Sequence, residues 1–424
     1  MVVPPSVRNG SEEQTVRWIE LATSLKLMAV GAAFLVGISA ASAEKNYGPG
    51  VTDTEIKLGQ TTAYSGAASG FSATSRAIVA YIKMINASGG INGRKINLIS
   101  LDDAYSPPKT VEQTRRLVEG DEVLAITGTL GTPGNLAVAK YLNAKKVPQL
   151  LSLSGSAKLN DPKLPWTTTF YASQAIESRI YARYLLKARP DAKIAVLFQN
   201  DDYGKGYLTA LKEELGSKAS TMIIAEASYD ITYPTIDSEL VRLANSGADT
   251  IFYASTPKFT AQAIRKVHEL KWKPLQIVIT ASSQIDATLK PAGLDAATGL
   301  ITSLWQKDPN DPKWADDQNV REFLAFMKEW GAGDSADLFL SATGYSWAQT
   351  MVHILKNCGD DLTRENLLKQ ATNLKGFHPS LFIDGVNLSA TAEDHTPWRQ
   401  ARMAKFDGTS WQPFDDIITI EEGQ

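Results

Sequence analysis

The chain has 424 residues, too long for one ordinary domain and comfortable for two. Hydrophobic side chains make up 43% and charged ones 21%, a globular balance. Forty-three basic against 46 acidic side chains leave a net charge of −3, so no excess of positive charge invites nucleic acid.

The N-terminus reads as a targeting leader. Leu27 to Ala40 is a nearly unbroken apolar run preceded by Arg17 and Lys26, and it ends in Ala41-Ser42-Ala43, the small-x-small pattern of a signal-peptidase site. The run is about 14 residues, short of the roughly 20 that a spanning helix needs. Residues 1–43 are therefore expected to be a signal peptide cleaved before Glu44. The single cysteine, Cys358, excludes an internal disulfide. An exported, disulfide-free chain of this size fits the periplasm of a Gram-negative bacterium.

Two runs of alternating strand and helix follow. In the first, β-rich apolar segments stand at Glu55–Leu58, Lys95–Leu101, Val123–Thr127 and Gln149–Leu153. Between them Ala77, Ala80, Tyr81 and Met84 share one helical face, as do Leu136, Ala139 and Leu142 in a later helix. The turn cluster Asn86–Gly93 ends the first of these helices. In the second run, strands are expected at Ile194–Phe198, Thr221–Ala225, Thr250–Tyr253 and Gln276–Thr280. Helices are expected at Gly206–Leu215, Thr235–Ala244 and Lys258–Leu270. Strand starts 26 to 29 residues apart leave room for one crossover helix each, which predicts parallel sheet. Strands such as Ile194–Phe198 are apolar throughout, as expected when both faces of a sheet are covered. The fold class is therefore α/β, with two doubly wound lobes. Beyond Ser303 the pattern is less regular: helices at Arg321–Trp330 and Ser341–Lys356, then Phe377–Leu388 and Arg402–Phe406 as short strands joined by loops.

In open parallel sheets ligands sit beyond the C-terminal strand ends. There the first half offers Gly128–Gly134, small and hydroxyl-bearing and followed by a helix start, and then Ser154-Gly155-Ser156. Helix-start N–H groups favour an anion, although glycine and serine also make ordinary turns. The second half offers Asp201-Asp202-Tyr203-Gly204, where Tyr203 can lay a ring on a ligand and the Asp pair can cap the next helix. Asp102-Asp103 reads as a brace for the loop that follows it.

Enzyme constellations are missing from the sequence. The four histidines (His268, His353, His378, His395) have no metal spacing. There is no G-x-S-x-G elbow, dinucleotide fingerprint or P-loop. Cys358 beside a turn glycine reads as inert. No catalytic residue, cofactor or metal is expected.

The ordered motifs Gly50–Gly59 (GVTDTEIKLG), Tyr64-Ser65-Gly66, Asn86–Gly93 (NASGGING), Asp102-Asp103 and Asp202–Gly206 (DYGKG) resemble those of the branched-chain amino-acid-type periplasmic binding proteins, the solute receptors of ABC importers. The likeness runs from about Gly50 to Asp416. It implies a type I flytrap with a three-segment hinge, crossing near Thr169–Ala172, Thr302–Trp305 and Trp398–Ala401. Lobe 1 would then comprise residues 44–170 and 304–399, and lobe 2 residues 171–303 and 400–424. It further implies a small organic ligand, an inner-membrane ABC permease as partner and a monomeric receptor.

By the same resemblance the carboxylate-binding positions are Thr132, Ser154 and Ser156. The aromatic walls are Phe71 and Tyr203, and Tyr171 stands where amino-acid receptors often carry a polar or acidic residue. Family members that bind amino acids hold the ammonium with an acid after the last strand of lobe 2. This chain has Ala281-Ser282-Ser283 there, with Asp286 the nearest acid. A buried ammonium without a counter-charge is costly. The expected ligand is therefore an aromatic acid of the benzoate or cinnamate kind, with Ser282 at the lobe 2 wall. A branched-chain amino acid or a short amide such as urea is the alternative.

Overall fold

Two sheets, one parallel and one mostly parallel, each layered between helices, carry the molecule. The computed structural model describes residues 1–2, 45–171, 173–331 and 337–420; the leader expected at residues 1–43 lies outside them except for its first two residues.

The first sheet has five strands in the spatial order Lys95–Asp102, Glu55–Thr62, Ala125–Thr127, Gln149–Ser152, Thr167–Thr169, all parallel. The second has seven. Ile301–Leu304, Leu275–Val278, Thr250–Ala254, Ile194–Gln199 and Ile223–Tyr229 run parallel in that order. Gln400–Phe406 and Trp411–Thr419 extend it antiparallel beyond Ile301–Leu304. Only four residues, 407–410, join these last two strands, and so short a turn brings the chain straight back antiparallel. Ile194, Ala195, Val196 and Leu197 have no exposed surface, because helices cover both faces of the sheet.

The chain passes between the sheets three times. It leaves the first after Thr167–Thr169, returns after Ile301–Leu304 and leaves again into Gln400–Phe406. The return segment supplies helices Gln318–Trp330 and Leu338–Cys358. The latter packs on helix Ser72–Ala87 so closely that a Cβ on Gly344 would lie 2.2 Å from the Thr74 carbonyl oxygen. Tyr81, Phe323, Phe326 and Tyr345 join the three helices through ring contacts. That packing places a late stretch of sequence in the first lobe.

Four local expectations change. The strand expected at Phe377–Leu388 is instead two short strands, Leu374–Phe377 and Leu388–Ala390, paired antiparallel. The strand expected from Thr221 begins at Ile223, after a helical turn Ala219–Met222. It is the edge strand, and the Ile223–Tyr229 stretch alternates instead of being apolar throughout. The strand expected to run through Thr280 ends at Val278, and Thr280–Ser282 turns as a 3-10 helix. Thr167–Thr169 and Ile301–Leu304 are regular strands at crossings for which only hinge segments were expected. Among the described residues no helix is long and apolar enough to cross a membrane.

Candidate ligand-binding site

In the first lobe the strand Ala125–Thr127 runs into a glycine loop and the helix Thr132–Ala144. The N-cap is Gly131 at φ +94°, with no side-chain cap. A Cβ there would lie 2.4 Å from the Tyr105 ring, so only glycine fits. Thr132 Oγ1 and Ser154 Oγ, from adjacent strand ends, are 2.8 Å apart. The Ser156 N–H donates to Ser154 Oγ at 3.2 Å.

Tyr105 reaches this corner through two consecutive left-handed residues, Ala104 (φ +52°) and Tyr105 (φ +61°). Asp102 Oδ1 accepts the Ala104 N–H at 3.1 Å and Asp103 Oδ1 the Tyr105 N–H at 2.9 Å. Thr110 donates to the other Asp103 oxygen at 2.8 Å. The acidic pair thus braces its loop, and the strained backbone aims a ring at the site.

In the second lobe Asp201 caps the helix Asp202–Leu215 by accepting from the Tyr203 and Gly204 N–H groups. Asp202 points elsewhere and pairs with Lys158 of the first lobe at 2.5 Å. Tyr203 meets Tyr207 edge-on, with ring centroids 5.5 Å apart. The Tyr203 hydroxyl is buried and has no hydrogen-bond partner among the described residues.

Below these rings lies Glu177, in the first turn of the helix Gln174–Ala188 and only 7% exposed. Its Oε1 accepts the Thr280 N–H at 2.6 Å and lies 2.7 Å from the Thr280 hydroxyl, 2.8 Å from that of Tyr181 and 3.4 Å from that of Ser303. Among the described residues Oε2 accepts from the Tyr207 hydroxyl alone, at 2.7 Å. Among the described residues no cation pairs with it. This is a buried carboxylate stabilised by hydrogen bonds in place of a counter-ion.

The three crossings contribute one aromatic cluster. Phe170 and Tyr171, Trp305, and Trp398 come from successive passages of the chain. Trp305 packs on Trp398 at 5.2 Å and on Tyr171 at 6.1 Å between centroids. The Trp398 indole N–H donates to the Phe170 carbonyl at 3.1 Å.

These parts line one pocket. Eight of its nineteen lining residues are aromatic: Phe71, Tyr105, Tyr171, Tyr203, Tyr207, Trp305, Phe339 and Trp398. Thr132, Ser154, Glu177, Thr256 and Thr280 supply the polar side chains. Burial pushes the Tyr171, Tyr105, Tyr203 and Tyr207 phenols upward, and the nearby Glu177 carboxylate adds to the push on the last two. They face a ligand as neutral hydroxyls.

Of the residues singled out from the sequence, Phe71, Thr132, Ser154, Tyr171 and Tyr203 line this cavity, and Ser156 and Ser282 do not. Ser156 turns only its backbone toward Ser154. The Ser282 hydroxyl donates to the Ser255 carbonyl at 2.5 Å and is fully buried. Asp286 is bound to Lys290 on the surface of its own helix turn. The expectation that the second lobe brings no negative charge is corrected by Glu177. No strand-end signal marks it: its partner Thr280 is 103 residues away, and only the tertiary fold joins them. Trp305 and Trp398 were placed in hinge segments without a role at the site. Among the described residues no cluster could hold a metal ion.

A family model described as "Periplasmic binding protein" matches residues 55–410. A protein of Pseudomonas aeruginosa named "Amino acid binding protein" is 22% identical over 187 residues, 44% of this chain and 49% of that one. The chain thus spans about half the length of such curated relatives. Among solved structures, a branched-chain amino-acid ABC transporter protein of Thermus thermophilus with bound valine superposes with a TM-score of 0.79 at 16% identity, over 87% of this chain and 98% of that one. A solute-binding protein of Rhodopseudomonas palustris in complex with 3,4-dihydroxybenzoic acid gives 0.71 at 22% identity, over 87% and 99%. At such identities the structures speak for the fold alone, while the family match extends over most of the sequence. The chain belongs to the periplasmic binding protein family, as a type I member of the branched-chain amino-acid type.

Proposed function

We propose that this protein is the periplasmic solute-binding component of an ABC importer and captures a small aromatic carboxylate without turning it over. Residues 44–170 with 304–399 and residues 171–303 with 400–424 act as the two jaws, and the closed form docks on a membrane permease. The observation that carries the reading is the aromatic cavity lining, eight rings drawn from both lobes and all three crossings. Thr132, at an uncapped helix start, offers its hydroxyl and N–H to a carboxylate, and Ser154 beside it offers its hydroxyl. The rings clasp the flat body of the ligand. Contacts from both lobes favour the closed state, which is what a closure-driven receptor requires.

One observation favours a second reading, an amino-acid receptor: Glu177 places a carboxylate in the cavity. An ammonium, however, brings three donors; Glu177 Oε1 already meets Thr280, Tyr181 and Ser303, and Oε2, which accepts from Tyr207, has room for one more. Titration calorimetry with benzoate, 4-hydroxybenzoate, leucine, valine and acetamide tests the choice. Aromatic acids are expected to bind with a Kd of about 1 μM, roughly −8 kcal/mol. Leucine or valine binding at that strength, with no heat from the aromatic acids, would overturn the reading.

A further inference from the structure

The cavity has polar side chains from both lobes, and the carboxylate proposed above takes those of the first, Thr132 and Ser154. The others are in the second lobe, where Glu177 and Tyr203 lie together. Tyr203 has a buried hydroxyl that bonds to nothing among the described residues. An unpartnered buried hydroxyl is unfavourable and is rarely left so unless something completes it. Beside it, Glu177 Oε2 accepts from Tyr207 only, and a carboxylate oxygen has room for a second donor. The pocket lining thus holds one acceptor with room for a donor and one hydroxyl able to donate.

We infer that Glu177 and Tyr203 form a second subsite that reads a hydroxyl on the ring of the ligand, so that the preferred ligands are hydroxylated aromatic acids. This rests on the aromatic-acid reading above and specifies it. The ligand hydroxyl donates to Glu177 Oε2 and accepts from the Tyr203 hydroxyl. One proton and one lone pair match one acceptor and one donor. An ether oxygen in its place can accept but not donate, and would leave Glu177 facing it without a proton between them. A bare ring would leave the Tyr203 hydroxyl unpaired as before. Discrimination by a buried hydrogen-bonding site against an analogue lacking the group is strong, because the site's own polar atoms then go unsatisfied.

The test is calorimetry on the full chain with benzoate, 4-hydroxybenzoate, 3-hydroxybenzoate and 4-methoxybenzoate, repeated for Tyr203→Phe and Glu177→Gln. At least one hydroxybenzoate is expected to bind about tenfold or more tighter than benzoate and 4-methoxybenzoate. Each substitution should collapse that ratio toward unity. Tyr203→Phe removes a hydroxyl with no protein partner, so the variant should fold even where Glu177→Gln does not. Equal affinities for benzoate and the hydroxybenzoates, or a ratio that survives Tyr203→Phe, would sink the subsite and leave the aromatic-acid reading standing. Binding of leucine with no aromatic acid bound would sink both.

Discussion

Thr280 approaches Glu177 twice: its backbone N–H and its hydroxyl lie 2.6 and 2.7 Å from the same carboxylate oxygen. The hydroxyl also lies 2.7 Å from the Ser303 carbonyl. A strand end, a crossing strand and the first turn of a helix are thereby joined at one buried acid beneath the ligand cavity.

Thr280→Val keeps the N–H and the shape and deletes the hydroxyl. Loss of a hydrogen bond to a charged group should cost about 1.5–3 kcal/mol of stability. The urea midpoint should fall with an unchanged slope. A midpoint within error of the parent would mean that the hydroxyl spends its proton on the Ser303 carbonyl and contributes nothing to Glu177.

Ser154 and Ser156 separate two ways of gripping an acid. Ser154 presents its hydroxyl to the cavity beside Thr132, whereas Ser156 supplies only a backbone N–H to Ser154. Ser154→Ala is expected to weaken the binding of benzoate or 4-hydroxybenzoate by about tenfold, the effect of one hydrogen bond to a charged group. Ser156→Ala should change it by less than about twofold, since its N–H remains. The reverse order in calorimetry would place the acid on Ser156.

Asp308 gives stability a pH dependence. Burial pushes its carboxyl up to about 7, against hydrogen bonds from the Asn310 and Ile285 N–H groups, while Asp337 and Asp311 push it further up. The unfolded chain titrates near 3.8. Between those values the folded protein holds a proton that the unfolded chain has lost, so stability falls as pH rises from about 4 to about 7. From pH 5 to pH 8 this group removes about 2–3 kcal/mol. Melting temperature should drop over that interval, and Asp308→Asn should remove most of the drop. An equal drop in the variant would assign it to other groups.

Much of the architecture was legible in local pattern. Apolar strands at near-constant spacing led to parallel sheet because a covered strand is apolar on both faces and a crossover helix needs a fixed length of chain. The loops at strand ends were legible for the same reason: small residues at Gly128–Gly134 and Ser154–Ser156 had to lie where the sheet opens. Thr132, Ser154 and Tyr203 follow from that placement, as does Asp103 bracing the turn that carries Tyr105. Of the antiparallel pair at 400–419, Arg402–Phe406 was legible and its partner Trp411–Thr419 was not, because that edge strand, WQPFDDIIT, is not an apolar run and its pairing is set by a four-residue turn.

The sequence by itself determined two doubly wound halves and small-residue loops at their strand ends; that no side chain fits at 131 was decided by the Tyr105 ring packed against it. Only the tertiary structure decided what charge the cleft holds. Glu177 sits in an ordinary amphipathic helix and becomes a site residue through Thr280, Ser303 and Tyr207, each from a different element. Trp305 and Trp398, 93 residues apart, likewise meet only where two crossings pass side by side. Periodicity reports which face of an element is buried, whereas the chemistry of a cavity depends on which buried faces meet, and that is settled by long-range packing.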